Sequence, residues 1–150
     1  MNKITITALL ERFPHMRFHP ELDLLVWHPC GTLDDQLFDD ILLVLESEEL
    51  SEEGLVHRIY TDFNCFERIN LNLDRLSHYA ERRRTASSPR KSALFADSPI
   101  GFGIAQLYER FMKFALIHVR AFRDRGDAAA WLGVPVEILE PATISEPESP

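Results

Sequence analysis

Residues 91–111, KSALFADSPIGFGIAQLYERF, contain the clearest strand and the clearest helix start of the chain. The apolar run at 91–96 is typical of a short buried strand. Pro99 has the fixed φ that suits the first position of a helix. Apolar side chains then recur at helical spacing at Ile100, Ile104, Leu107 and Phe111. A strand that leads directly into a helix is the unit from which parallel sheets are built.

The same alternation continues on both sides of this unit. Apolar runs and turn residues predict strands at 16–18, 22–28, 55–63 and 116–122, and helices that begin near residues 32, 72 and 127. The first two strands are close enough to form a β-hairpin, and Pro29 and Gly31 end the second. Thr32 is the predicted cap of the helix that carries Leu33, Leu37, Ile41 and Leu45. The order predicts an α/β fold: a mostly parallel sheet with an N-terminal antiparallel hairpin strand.

Length and composition predict one domain. The chain has 150 residues, of which 45% are apolar, enough for a single core. We expect the domain at 15–136, an attachment segment at 1–14 and a disordered, acidic, Pro-rich tail at 137–150. The sequence contains neither a membrane-length apolar run nor the pattern of a secretion signal, so we expect a cytoplasmic protein that does not bind membranes. Cys30 and Cys65 are too few for a disulfide framework and are predicted to be buried thiols.

The charge is acidic overall and uneven along the chain. The formal net charge is -8, which disfavours nucleic acid as a partner. Between Phe18 and His57 there are eleven acidic and no basic residues, whereas 58–91 holds eight basic and four acidic ones. The basic side chains Arg82, Arg83, Arg84, Arg90 and Lys91 suit either a solvated loop or contact with an acidic partner.

Four fragments, in this order, resemble the SpoIIAA-like (STAS/SEC14-domain) superfamily. They are LLVWHPCGTLDDQLFDDIL, HRIYTDFNCFERINLNLDRL, KSALFADSPIGFGIAQLYERF and VRAFRDRGDAAAWLGV, and together they lie within residues 16–135. The resemblance implies a STAS-like fold, but fold alone does not fix an activity. Regulatory STAS proteins carry a phosphorylatable Ser after a strand-end Asp. The corresponding residues 62–66, DFNCF, contain no hydroxyl group, so we do not expect a kinase-controlled switch there.

The candidate ligand- or partner-binding site lies at the carboxyl ends of the strands, where open parallel sheets hold their ligands. Its residues are Asp62, Asn64, Asp97, Ser98, Gly101 and Gly103. The last four surround a helix start, whose amides could hold an anion. The alternative is that the two glycines only permit close helix packing, since the lysine of a P-loop is absent.

Complete catalytic or metal-binding constellations are missing from the sequence. Of the six histidines, only His15 and His19 have the spacing that puts two ligands on one helical face, and Pro14 and Pro20 disfavour a helix there. No metal, cofactor or enzymatic activity is therefore expected. We expect a non-enzymatic protein-interaction or regulatory module with an unidentified protein partner. The alternative is a domain that binds a small molecule, namely an anion, a nucleotide or a lipid. We also expect a homodimer in which residues 1–14 take part, because sequential crossovers would leave one sheet face uncovered.

Overall fold

The structure is a computed structural model and describes residues 10, 11, 13, 15–37, 39, 57–84 and 89–141. Its strands are β1 (Met16–His19), β2 (Leu24–Trp27), β3 (Gly31–Asp34), β4 (Arg58–Asp62), β5 (Phe66–Asn70), β6 (Arg90–Phe95) and β7 (Ile117–Phe122). The helices with described bounds are α1 (Leu73–Arg83), α2 (Pro99–Phe111) and α3 (Arg125–Leu132). Short 3-10 turns lie at Pro20–Leu22, Phe63–Cys65 and Val136–Leu139.

Five strands form the main sheet, in the order β1-β2-β4-β6-β7. The first two pair antiparallel through a tight connection, and every later neighbour pairs parallel. The predicted α/β fold, with its mostly parallel sheet and its antiparallel hairpin strand, is therefore confirmed. Because β4, β6 and β7 run parallel, their carboxyl ends meet at one edge, where the candidate site was predicted.

A second sheet was not predicted. It consists of β3 and β5, which pair parallel with Gly31 opposite Phe66. The prediction that Thr32 caps a helix is wrong, because Thr32 lies within β3. The helical backbone starts after this strand at residue 35, and the Asp34 Oδ1 accepts a hydrogen bond from the Leu37 amide at 2.9 Å. Asp34 thus takes the capping role. Most of the predicted apolar stripe of that helix lies outside the described residues.

The other predicted helix starts are confirmed by their caps. The side chains of Asn72, Ser98 and Asp124 each accept a backbone amide from the first turn of the helix that follows. Gly133 ends α3 with a left-handed φ of 75°, a conformation that glycine adopts without strain. These local signals position the helices against the sheet.

The main sheet is covered on both faces. We call the face packed against α1 and α2 the front face; it includes Leu94 and Ile117. The back face packs against α3 and the turn Val136–Leu139, and its buried side chains include Leu24, Val26, Tyr60 and Phe95. Side chains alternate between the faces along each strand, as the pleat requires. The consecutive apolar residues of β2 are explained by this two-sided burial.

The homodimer was expected because one face of the sheet would be uncovered, and the structure does not support this reason, since the back face is covered. It is covered by α3 and by Val136–Leu139, whereas Phe13 packs against Trp27 on the front, with ring centroids 5.4 Å apart. The homodimer itself stays a prediction, and light scattering on the full chain decides it.

The boundary drawn after residue 136 falls inside the last turn, and Leu139 beyond it is fully buried. Among the helices of the described ranges, none has the length and apolar character needed to cross a membrane.

Candidate functional site

Five of the six predicted site residues meet at the carboxyl edge of the sheet. Asp62 Oδ1 accepts a hydrogen bond from the Asn64 amide at 2.9 Å, and Asn64 Oδ1 accepts one from the Asp97 amide at 3.0 Å. Ser98 Oγ accepts one from the Gly101 amide at 3.1 Å. These hydrogen bonds connect the end of β4, the turn that follows it and the start of α2, and they bring the five residues together.

The edge is a surface rather than a pocket. Asp62 is only 1% exposed and anchors the end of β4, while Asn64, Asp97 and Ser98 are exposed. None of the six residues belongs to the described lining of the cavity introduced below. Gly103 does not join the cluster, because it lies on the exposed side of α2. The edge can therefore offer side chains to a partner, but Ser98 already uses its oxygen to cap α2.

The two glycines of α2 are expected to respond oppositely to alanine. A Cβ on Gly101 would lie 2.8 Å from Ser98 Oγ and 3.1 Å from the Ala96 Cβ, whereas one on Gly103 would meet nothing within 4 Å. Gly101→Ala should lower the free energy of unfolding by about 1–3 kcal/mol through overpacking. Gly103→Ala should raise it by about 0.5–1 kcal/mol, because helical glycine is entropically unfavourable. Urea denaturation compares them, and equal effects would contradict this packing.

A buried polar cluster lies on the back face beneath this edge and consists of His28, Tyr60, Asp62 and Arg125. The Tyr60 hydroxyl donates to Asp62 Oδ2 at 2.9 Å, and Arg125 Nη2 donates to the same oxygen at 2.8 Å. Arg125 Nε also donates to the Tyr60 hydroxyl at 3.1 Å. His28 Nε2 lies 3.5 Å from Asp62 Oδ2 and 2.8 Å from the carbonyl oxygen of Leu139. One cluster thus ties two strands, α3 and the last turn together.

The protonation states of the cluster follow from these contacts. Burial lowers the pKa of His28, and the charge of Asp62 opposes this only in part, so the imidazole is neutral near pH 7. Its Nε2 must carry the proton, because a carbonyl oxygen only accepts. Burial, followed by the charge of Asp62, raises the pKa of Tyr60, which keeps its hydroxyl proton as the donor to Asp62. The cluster therefore consists of donors and acceptors that satisfy one another.

Sequence reasoning identified only Asp62 among these four residues. The alternation of side chains along a strand could have identified His28 and Tyr60 as well. His28 continues the back-face positions of β2, and Tyr60 precedes Asp62 by two residues, so both lie on the same face as Asp62. Arg125 carries no such signal. It follows the helix cap Asp124, where a surface position is the ordinary expectation, and only the packing of α3 turns it toward Asp62.

A cavity of about 90 Å³ lies on the front face. Its walls are mostly apolar and come from all seven strands, α1 and α2, together with Phe13. The buried polar cluster lies on the back face, so the main sheet separates the cavity from the cluster. Sequence reasoning did not locate this cavity, since it depends on how the helices meet the sheet.

The polar side chains of the lining include two guanidinium groups and one indole. Arg83 and Arg90 line it and are only 4% and 3% exposed, so the prediction of a solvated basic loop is wrong for these two residues. Burial lowers the pKa of Arg90, and the positive charge of Arg83 lowers it further. The two guanidinium groups are therefore close enough to repel each other. The Trp27 indole N–H is buried and has no hydrogen-bond acceptor among the described residues. The lining thus combines mostly apolar side chains with two buried cations.

Comparison with known proteins gives a fold description. No family model matches the chain, and no curated protein matches it. Among solved structures, the chain is similar to an uncharacterized protein of the DUF3478 family with a SpoIIAA-like fold from Shewanella loihica PV-4. The similarity covers 73% of this chain and 83% of that chain, at 16% sequence identity and a TM-score of 0.45.

Proposed function

We propose that the protein is a non-catalytic binding module of the cytoplasm that holds a small anion with an apolar body in the front-face cavity. The observation that carries the proposal is the burial of Arg83 and Arg90 beside an apolar cavity. Arginine recognises carboxylate and phosphate groups with a planar fork of donors. The apolar walls would take the rest of the molecule.

The size of the cavity restricts the class of ligand. One water needs about 10–15 Å³ by the same kind of measure, so a cavity of about 90 Å³ accommodates a small organic molecule. A nucleotide is too large for this space, as is the full length of a membrane lipid. The ligand class we favour is therefore a small carboxylate with a hydrocarbon or aromatic body.

Electrostatics supports an anion over a neutral molecule. Both guanidinium groups already have partners within the protein, among them the Tyr108 hydroxyl for Arg83, and a bound carboxylate would add a charge-assisted hydrogen bond to a buried cation. The indole N–H of Trp27 provides a further donor at the cavity wall. The proposal of a non-catalytic role is supported by the buried polar cluster, whose polar atoms are directed at one another rather than at the cavity.

The test measures thermal stability with matched ligands. Hexanoate and benzoate should raise the melting temperature, because a ligand of the folded state stabilises it by about 2.7 kcal/mol at a hundredfold excess over Kd. Hexan-1-ol and benzyl alcohol, which are neutral, should have a smaller effect. Arg90→Met should abolish the preference for the anions, whereas Arg110→Met, which removes an exposed charge from α2, should keep it. Equal responses to anions and alcohols would contradict the proposal.

A protein-interaction role at the carboxyl edge is the second candidate. Ile100 is 71% exposed beside the exposed polar residues Asn64, Asp97 and Ser98. A large apolar side chain among polar groups is the composition of a small docking surface. Pull-down with the full chain should recover a partner that Ile100→Asp loses and Gly103→Asp, on the same helix, retains. Recovery of the same proteins by all three chains would argue against this surface.

A further inference from the structure

The two cysteines occupy paired positions in the small sheet. Cys30 directly precedes β3, and Cys65 directly precedes β5. The two strands run parallel with Gly31 opposite Phe66, and the register shifts only after this pair, where Thr32 lies opposite Arg68. Cys30 and Cys65 therefore each directly precede one residue of a matched pair. Adjacent strands lie about 4.8 Å apart. This spacing falls within the Cα separations of about 4.4–6.8 Å that disulfides require.

The side chains agree with the backbone register. Both thiols are free, and Cys65 is near enough to raise the pKa of Cys30, whose Sγ donates to the carbonyl oxygen of His28 at 3.5 Å. The prediction that both are buried thiols is wrong for Cys30, which is exposed, while Cys65 is half-buried. An oxidant in solution can thus reach the Cys30 sulfur, and Cys65 is the neighbouring thiol in the register of the two strands.

We propose that Cys30 and Cys65 form a reversible disulfide by exchange with a low-molecular-weight disulfide such as oxidised glutathione. The Cys30 thiolate attacks one sulfur of the small disulfide, which releases one small thiol and leaves a mixed disulfide on Cys30. The Cys65 thiolate then attacks the Cys30 sulfur and displaces the second small thiol. Two protein thiols are oxidised, one small disulfide is reduced, and their two protons leave with the two small thiols.

The surroundings of Cys30 slow the first step without preventing it. Burial raises the pKa of Cys30, and Cys65, Glu67 and Asp62 raise it further. The thiolate, which is the attacking form, is therefore scarce at neutral pH. Proximity favours the second step, because an intramolecular thiol acts at high effective concentration.

The bridge would join two segments that the carboxyl edge depends on. Cys65 ends the 3-10 turn Phe63–Cys65, which carries Asn64, and Cys30 lies two residues beyond His28. Oxidation would thus fix the turn of the second candidate surface to the segment that leads into β3. The proposal does not depend on either function above, because its test follows the thiols directly.

The experiment incubates the reduced full chain with oxidised glutathione at mildly alkaline pH and measures its intact mass without reductant. The wild-type chain should lose the mass of two hydrogen atoms, yield a peptide linked through Cys30 and Cys65, and regain its mass with dithiothreitol. Cys65→Ser should instead gain one glutathione that stays attached to Cys30. A wild-type chain that keeps its reduced mass, retains the glutathione adduct, or links to a second chain would overturn the proposal.

Discussion

Replacing Asp62 by alanine is expected to lower the free energy of unfolding by about 2–4 kcal/mol, because it removes a fully buried carboxylate and its hydrogen bonds, one of them from the partly exposed Arg125. The loss leaves Arg125 without its carboxylate and removes the acceptor of the Tyr60 hydroxyl and of the Asn64 amide. Unpaired donors in the interior retain their desolvation cost. The effect should therefore exceed that of an ordinary surface substitution several-fold.

Urea denaturation with two comparison variants measures this effect. Asp97→Ala changes an exposed aspartate at the same edge and should stay within about 0.5 kcal/mol of the wild-type chain. Asp62→Asn keeps an acceptor for the Asn64 amide but loses the charge opposite Arg125, so it should fall between the two. A loss for Asp62→Ala no greater than that for Asp97→Ala would show that the cluster does not hold the domain together.

Replacing Leu139 by alanine should destabilise the protein by about 2–5 kcal/mol, the range for a large side chain removed from a core. Leu139 is fully buried in the back-face core, although it lies in the segment whose composition predicts a disordered tail. Its carbonyl oxygen also accepts the His28 bond, which an alanine would keep. The variant thus isolates the packing contribution of the side chain.

Glu137→Ala is the matched control, since Glu137 is an exposed residue of the same turn. It should leave the unfolding midpoint nearly unchanged. A chain that ends at residue 136 should lose more stability than Leu139→Ala, because it loses the His28 bond as well. If Leu139→Ala and Glu137→Ala unfold at the same denaturant concentration, the last turn does not belong to the core.

The parts of the fold that the sequence could predict rest on local signals. Helix caps act within three residues, and Asn72, Ser98 and Asp124 therefore marked their helices correctly. The β3–β5 pair could not be found in this way, because GTLD and FERIN have few apolar residues and meet across a long sequence separation. Thr32 and Asp34 are both good capping residues. The pairing of β3 with β5 selects Asp34.

The candidate site was predictable only where it follows the strand ends. Asp62 and Asn64 were found because parallel strands end together, whereas Arg83 and Arg90 are charges whose burial is decided by tertiary packing. Trp131 is half-buried, and the Lys91 ammonium of β6 lies 5.1 Å from the centre of its ring, a contact that likewise depends on tertiary packing.

The residues that cover the back face of the sheet are synthesised after all of its strands, and this order affects how the chain folds during synthesis. Tyr60 and Phe95 of the sheet need α3 and Leu139 to bury them, and those residues leave the ribosome last among the described ones. Contacts of such long sequence separation form late in folding. A nascent chain that has reached only residue 122 holds every strand of the main sheet but exposes one apolar face. Apolar surface exposed during that interval would favour aggregation and is the kind of surface that chaperones bind.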